Sequence, residues 1–263
     1  MAVPGRLLYL TEPARAVADF GLLAAGAPLL ALLPRGDGHP VLVLPGLGSA
    51  DSSTALLRSV LRRLGYRTFG WGLGRNDGPT GAATRGMAAR LDELTGRFGV
   101  PISLIGWSLG GLYARQIARR RPADIRQVIT LGTPVRLAAA LTADRKPATE
   151  DLSDFPPWPH WSAWARWYGG LQGRDPDRTH PDAGPLPVPT TSIYSPLDGI
   201  VGWRICRTVA APRTENIVVA ASHLGFAHNP AVIFAIADRL AQPTGQWAPF
   251  RPPALLRAGY RSE

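Results

Sequence analysis

The residues with the clearest capacity for chemistry lie in a short turn, Gly106-Trp107-Ser108-Leu109-Gly110. This turn follows the apolar run at 102–105 directly and precedes a helical pattern at 109–120. A serine on a tight strand-to-helix turn is held in a strained backbone conformation, and glycines two residues away on either side leave room for the neighbouring chain. The placement predicts that Ser108 is a nucleophile, and the alternative is a turn serine in a glycine-rich loop.

A serine nucleophile needs a base that takes its proton and an acid that orients the base. His223 directly follows the apolar run at 216–220 and precedes the last helical pattern, which makes it the candidate base. His228 is the rival, and it could instead bind a backbone carbonyl or fix the turn. Asp198 lies in a Pro-Leu-Asp-Gly sequence after another apolar run, where a strand meets a turn, although an aspartate before glycine is also a common turn former. We expect Asp198 to accept a hydrogen bond from one imidazole nitrogen of His223 and leave the other nitrogen for the Ser108 proton.

Four segments together resemble the α/β-hydrolase superfamily, and more closely its bacterial lipase- and esterase-like branch. They are residues 39–48 (HPVLVLPGLG), the serine turn, residues 195–198 (SPLD) and residues 222–230 (SHLGFAHNP). The resemblance runs from about residue 38 to 252 and implies a serine hydrolase mechanism on esters, with the chain order Ser, Asp, His and no metal or organic cofactor. The superfamily's usual first two strands are not visible, because residues 5–33 read largely as helix, so we expect a sheet of about six strands.

The resemblance also implies two backbone N–H groups that bind an oxyanion. One belongs to Leu109, which follows the nucleophile at a helix start. The other belongs to the loop Pro45-Gly46-Leu47-Gly48, in which Leu47 is the expected donor. A phosphate-binding loop is the alternative for these glycines, but the lysine of a P-loop and the GxGxxG spacing are both absent. The loop at 74–78, which follows the second strand pattern, is a candidate for lining the site, without an assigned role.

Strand-like and helix-like patterns alternate along the chain, which predicts an α/β fold. The strand patterns lie at 41–44, 66–71, 102–105, 127–131, 190–194 and 216–220, and the amphipathic helix patterns at 53–64, 84–98, 109–120 and from Pro230 onward. Short continuous apolar runs are typical of strands buried on both faces, so we expect a mostly parallel sheet with helices on both sides. The length of 263 residues favours one domain, 1–263.

Residues 135–186 interrupt this alternation and contain four of the eight tryptophans, which recur every three residues: Trp158, Trp161, Trp164 and Trp167. A long segment that leaves the sheet at the carboxyl end of a strand predicts a cap over the nucleophile. The alternative is an insertion whose tryptophans fill its own small core. We expect Trp161 and Trp164, together with Trp107 beside the nucleophile, to contact a hydrophobic substrate.

The excess of basic residues does not predict a nucleic-acid binder. The formal net charge is +10, but only Lys146 of the 29 basic residues is a lysine and the arginines are scattered along the chain. Scattered charge aids solubility, but it does not form the clustered basic surface with which a protein binds a nucleic-acid groove. The single cysteine, Cys206, excludes an internal disulfide and a cysteine-based zinc cluster.

Residues 20–33 are uncharged and mostly apolar, which raises the question of a membrane segment. The run is shorter than the ~20 residues that a bilayer span needs. Glu12, Pro13 and Asp19 before it do not fit a signal sequence. The run therefore predicts a buried helix packed on the core of a cytoplasmic protein. Weak association with a membrane surface, or export, is the alternative.

These features predict a serine carboxyl-ester hydrolase that acts through an acyl-enzyme on a hydrophobic small-molecule or lipid-like ester. An acyltransferase or amidase with the same three residues is the enzymatic alternative, because the shape of the pocket decides which acceptor replaces water. The non-enzymatic alternative is a lipid-binding protein that has the same fold but does not catalyse a reaction.

Overall fold

One twisted sheet organises the computed structural model, which describes residues 4–136, 184–252 and 254–261. Its strands are β1 (Pro40–Leu44), β2 (Arg67–Gly70), β3 (Ile102–Trp107), β4 (Ile125–Leu131), β5 (Thr190–Tyr194), β6 (Thr214–Val219) and β7 (Tyr260–Arg261). They lie in the order β2-β1-β3-β4-β5-β6-β7. The first six of these are parallel, and β7 pairs with β6 in the antiparallel sense. The predicted parallel sheet is confirmed, with a two-residue edge strand added.

The helices follow the predicted alternation with the strands. They are α1 (Arg6–Leu10), α2 (Glu12–Ala25), α3 (Ala55–Arg63), α4 (Gly81–Phe98), α5 (Leu109–Arg120), α6 (Trp203–Cys206) and α7 (Pro230–Leu240). Helix α4 begins after Thr80, whose hydroxyl accepts a hydrogen bond from the Ala83 amide. Helix α7 begins after Asn229, whose side chain accepts from Ala231 and Val232. Such caps satisfy amides that have no carbonyl partner within a helix, so they fix where each helix starts.

Successive residues of the central strands enter two different hydrophobic cores. In β1, Val41 and Val43 pack on the side that holds α2, α3 and α7, whereas Leu42 and Leu44 pack on the side that holds α4 and α5. All four side chains are fully buried. Full burial of one such side chain stabilises the fold by roughly 2 kcal/mol, so both faces hold the sheet firmly in place. The carboxyl ends of the strands, where ligands bind in open α/β sheets, are therefore rigid anchors for the loops that follow them.

The N-terminal helices pack differently from the prediction. Leu23 and Leu33 are buried, but the structure exposes most of the other large apolar side chains of residues 20–33, with Phe20 at 53%, Leu22 at 58% and Leu32 at 71%. The buried positions of α2 include two carboxylates, Glu12 and Asp19. The prediction of a helix buried through its apolar side chains is therefore wrong for most of this segment. Helix α2 turns Glu12 and Asp19 toward the protein together with Leu23, and it exposes Val17, Phe20 and Leu22.

No helix in the described part of the chain is long and apolar enough to cross a membrane. Association with a membrane surface stays a prediction. The predicted cap at 135–186, with Trp161 and Trp164, lies almost wholly outside the described residues.

Candidate active site

Ser108 lies on the strained turn between β3 and α5, with backbone angles of φ 52° and ψ −120°. Such a conformation costs a non-glycine residue about 1–3 kcal/mol, so the surroundings must impose it. The Ser108 amide donates a hydrogen bond to the carbonyl of Leu131 at 2.8 Å. A Cβ atom on Gly106 would lie 2.3 Å from the Gly111 Cα, and one on Gly110 would lie 2.3 Å from the Leu44 oxygen. Glycine is therefore required on both sides of the serine, as the sequence pattern predicts.

The structure brings Asp198 and His223 together at the carboxyl edge of the sheet. The Nδ1 atom of His223 donates to Oδ2 of Asp198 at 2.6 Å, and the two residues are only 4% and 3% exposed. The other oxygen of Asp198 accepts from the amides of Ile200 and Val201, at 2.8 and 2.7 Å. Both carboxylate oxygens are therefore engaged as acceptors, which fixes the orientation of the imidazole ring.

Opposing effects act on the protonation of His223. Burial lowers the pKa of the imidazole, but the adjacent Asp198 carboxylate and the negative charge of Glu12 raise it by more, so the pKa lies above its ordinary value. A buried imidazole beside a carboxylate is thus stabilised in its protonated form. This is the property that a general base needs after it has accepted a proton.

The rival histidine has a different environment. The Nε2 atom of His228 donates to the carbonyl of Ala16 at 2.9 Å, and this contact ties the loop to α2. His228 therefore binds a backbone carbonyl, as a structural histidine does, whereas the Asp198 carboxylate lies beside His223.

The loop that follows β1 lies against the nucleophile turn. A Cβ atom on Gly46 would lie 3.3 Å from the Ser108 Cβ, so only glycine allows this approach without displacement. The Leu109 amide is the first of α5 and has no carbonyl partner within the helix. Within the described part of the chain, no acceptor binds the Leu47 amide either. Both predicted oxyanion donors therefore lie on the segments that flank Ser108.

Solved structures of several lipolytic enzymes share this arrangement of strands and helices. A structure of LipS and LipT, two metagenome-derived lipolytic enzymes, has a TM-score of 0.54 and 19% identity over 79% of this chain and 94% of that chain. A monoacylglycerol lipase of Paleococcus ferrophilus has a TM-score of 0.54 and 16% identity over 80% of this chain and 96% of that chain. Lipase B of Aspergillus fumigatus has a TM-score of 0.55 and 17% identity over 79% of this chain and 53% of that chain. The chain has the α/β-hydrolase fold.

Comparison of sequences adds one partial match. The chain is 32% identical over 130 residues to polyketide synthase ThaQ of Burkholderia thailandensis. The match covers 48% of this chain but only 6% of that protein. No family model matches the chain.

Trp107 contacts the loop that carries His223, and its predicted contact with a substrate stays a prediction. Its side chain is 7% exposed, and its Nε1 atom donates to the backbone carbonyl of His223 at 3.2 Å. The indole ring also lies 6.0 Å from the His223 ring, centroid to centroid. The structure therefore assigns Trp107 to hold the base loop against the nucleophile turn.

Asn76 supports the loop that follows β1, a role that its sequence pattern does not indicate. Its side chain is fully buried, and its Nδ2 atom donates to the Pro45 carbonyl at 2.9 Å. Its backbone carbonyl accepts from the Gly48 amide at 2.6 Å, and its own amide donates to Ser49 at 2.8 Å. Three bonds thus join this residue to the loop that contains Leu47. An asparagine in a glycine-rich loop is typical of any turn, so the pattern alone carries no signal for this role.

Asp19 is a second support that the sequence did not indicate. Its Oδ2 atom accepts from the amide and hydroxyl of Ser222 at 3.0 and 2.6 Å, and its Oδ1 atom accepts from Asn229 at 2.7 Å. A Cβ atom on Gly225 would lie 1.9 Å from the same carboxylate, which makes glycine necessary there. Asp19 therefore anchors both sides of the loop that carries His223.

Cys206 is not a competing nucleophile. It is buried, and burial, assisted by the negative charge of Asp198, raises the pKa of the thiol well above its ordinary value. Because the thiolate is the reactive form, such a cysteine is inert.

Proposed function

We propose that this chain is a serine hydrolase of carboxyl esters, with Ser108 as the nucleophile, His223 as the general base and Asp198 as the residue that orients the base. The observation that carries the proposal is the 2.6 Å hydrogen bond between His223 and Asp198, on a loop that Trp107 ties to the strained serine turn. The likeness in fold to enzymes described as lipolytic supports ester chemistry.

The proposed reaction proceeds through an acyl-enzyme. His223 accepts the proton of the Ser108 hydroxyl through Nε2 as the serine oxygen bonds to the ester carbonyl carbon. When the tetrahedral intermediate collapses, the bond to the alcohol breaks and His223 returns the proton to the leaving oxygen. A water molecule then repeats the sequence on the acyl group, which leaves as a carboxylic acid. Throughout, the ionised Asp198 accepts a hydrogen bond from the Nδ1–H group of His223, which leaves Nε2 free to exchange the proton with the serine and leaving-group oxygens.

The negative charge of the intermediate requires two donors that are in place beforehand. We assign these donors to the amides of Leu47 and Leu109, because Leu109 directly follows Ser108, Leu47 directly follows Gly46 in the loop that approaches Ser108, and neither amide has an acceptor in the described part of the chain. Loss of one such donor lowers kcat by about 10²–10³.

We propose that the substrate is hydrophobic and that the segment 135–186 covers it. The support is placement, since the segment follows the carboxyl end of β4, on the edge of the sheet that carries Ser108. Replacement of Trp161 and Trp164 by alanine should raise KM for long-chain esters more than for acetate esters. An equal effect on both ester classes, with a lower Tm, would assign these tryptophans to the segment's own core.

A direct test combines covalent labelling with turnover. A fluorophosphonate probe should label the wild-type protein and leave Ser108→Ala unlabelled, and a series of p-nitrophenyl esters should measure the preferred acyl length. A matched control is Ser53→Ala, which removes a hydroxyl that bonds to the Ala50 carbonyl in the turn before α3 and should leave labelling unchanged. Absence of both labelling and turnover in the wild type would favour a non-catalytic lipid binder. Faster release of the acyl group to an added alcohol or amine than to water would favour an acyltransferase, and faster cleavage of amides than of esters an amidase.

A further inference from the structure

The carboxylate of Glu12 lies between the two loops that carry Asp198 and His223. Its Oε1 atom accepts from the amide of Gly199 at 2.6 Å and from the amide of His223 at 3.1 Å. Its Oε2 atom accepts from the amide of Leu224 at 3.2 Å. Gly199 directly follows Asp198, so one side chain from helix α2 is bonded to the backbone at both members of the acid–base pair.

The surroundings of Glu12 compensate a buried carboxylate. Glu12 is 2% exposed, and a buried charge is costly unless hydrogen bonds and an opposite charge compensate it. Compensation comes from the three amides and from Arg15, whose Nη2 atom lies 2.9 Å from Oε1. Arg15 also donates to the carbonyl of Leu197, beside Asp198. A Cβ atom on Gly199 would lie 2.9 Å from the Glu12 Cγ, so a glycine at this point allows the carboxylate to come close.

We propose that Glu12 is a positioning residue for catalysis, which holds the Asp198 turn and the His223 loop at a fixed separation and adds negative charge behind the imidazole. This inference rests on the proposed serine hydrolase function. Glu12 acts through the backbone of the pair and need not touch substrate.

The charged groups around His223 define the electrostatic part of the proposal. Asp198 contacts Nδ1 directly, from the turn after β5. Glu12 contacts the His223 amide from α2, and Arg15 lies beyond Glu12 with the opposite sign. Asp19, also on α2, bonds to Ser222 and Asn229 and does not contact His223. Among these groups Glu12 and Asp198 both favour the imidazolium, so removing the charge of Glu12 should lower the pKa of His223.

Two variants separate the geometric effect from the electrostatic one. Glu12→Ala removes the carboxylate that joins the Asp198 turn to the His223 loop. Because small misplacements of reacting groups can lower the rate about 100-fold, we expect kcat to fall about 10- to 100-fold with little change in KM. Glu12→Gln keeps an oxygen for Gly199 and His223 but removes the charge. We expect this variant to retain more of kcat than Glu12→Ala, while the acid limb of its kcat/KM profile moves to lower pH, because the neutral imidazole then persists at lower pH.

Matched controls identify effects that do not pass through His223. Glu93→Gln removes an exposed carboxylate that pairs with Arg90 on α4, and it should leave kcat and the pH profile unchanged. Asp92→Asn removes a second exposed carboxylate, which pairs with Arg121, and it should likewise leave kcat and the pH profile unchanged.

Titration of the His223 ring by NMR makes the test independent of turnover. The imidazole of Glu12→Gln should titrate at lower pH than that of the wild type, whether or not an ester is hydrolysed. If the wild type is inactive and unlabelled by a fluorophosphonate but the ring titration shifts, the proposed function fails and the electrostatic role of Glu12 stands without a catalytic one. If the wild type is active and Glu12→Gln has the wild-type ring titration, with Glu12→Ala retaining wild-type kcat, the inference is overturned.

Discussion

Replacement of Asn76 by alanine tests whether the loop after β1 is part of the catalytic machinery. The buried side chain of Asn76 donates to the carbonyl of Pro45 at 2.9 Å. Its Oδ1 atom accepts from the Gly78 amide and from the Tyr113 hydroxyl, each at 3.2 Å. Asn76→Ala would leave the carbonyl, the amide and the hydroxyl without this partner.

The structure gives the expected size of the two effects. An unsatisfied buried polar group costs about 1–3 kcal/mol, and water that enters the space reduces this cost, so three such groups predict a loss of about 3 kcal/mol in the free energy of unfolding. The same change frees the loop that carries the Leu47 amide. Since removal of an oxyanion donor lowers kcat by about 10²–10³, a displaced donor should lower kcat by about 10- to 100-fold. KM should change little, because the oxyanion forms only after the substrate has bound.

Urea unfolding and steady-state kinetics of a p-nitrophenyl ester measure these effects on the same preparation. Asn216→Ala is the matched control. Asn216 makes a similar pair of bonds, accepting from the Thr208 amide at 2.9 Å and donating to its carbonyl at 3.1 Å, but it does so outside the candidate site. The Asn216→Ala variant should be less stable than the wild type and should keep the wild-type kcat. If Asn76→Ala loses stability and keeps wild-type kcat, the argument that this loop holds an oxyanion donor is refuted.

Three further predictions concern the proposed triad. Ser108→Ala should lower turnover by on the order of 10⁶ while its circular dichroism and Tm stay near those of the wild type, and ester hydrolysis at the wild-type rate would exclude the serine mechanism. His223→Ala should lower turnover nearly as much, whereas His228→Ala should keep most activity and lose some stability. If His228→Ala is instead the less active of the two variants, His228 and not His223 is the general base. The neighbouring carboxylates raise the pKa of His223, and the base must be neutral to act. As the pH is lowered, kcat/KM should therefore begin to fall at a higher pH than it would with an ordinary histidine as the base. A fall centred below pH 6.5 would contradict the assigned environment of His223.

Local rules of sequence predicted the elements around the serine well. Helix α5 (Leu109–Arg120) and strand β5 (Thr190–Tyr194) have the predicted bounds, because a glycine turn and a short apolar run mark them sharply. The start of α7 was predicted from Asn229 and Pro230, since a cap and a proline act within a few residues of chain. The pairing of His223 with Asp198 follows from their places after two adjacent parallel strands, β5 and β6.

The supports of the site were not predictable in this way. Glu12 and Asp19 bond to residues about 200 positions further along the chain, and nothing in the local pattern distinguishes an inward carboxylate on a helix from a solvated one. An amphipathic pattern gives the two faces of a helix but not which face meets the protein, and charged faces usually meet water. For α2 the usual assignment is reversed, because the loops it covers offer amides rather than apolar side chains.

The reversed helix also determines how short a catalytic unit can be cut from this chain. A chain that began at residue 34 would retain all seven strands and all three residues of the proposed triad. It would nevertheless leave the amides of Gly199, His223 and Ser222 without their carboxylate acceptors. Each lost hydrogen bond costs about 1 kcal/mol or more of folding stability, and a typical domain has only about 5–15 kcal/mol in total. All of the lost bonds belong to the loops that position His223. We therefore expect the shortest chain that keeps these loops in place to extend upstream of the sheet to the first turn of α2.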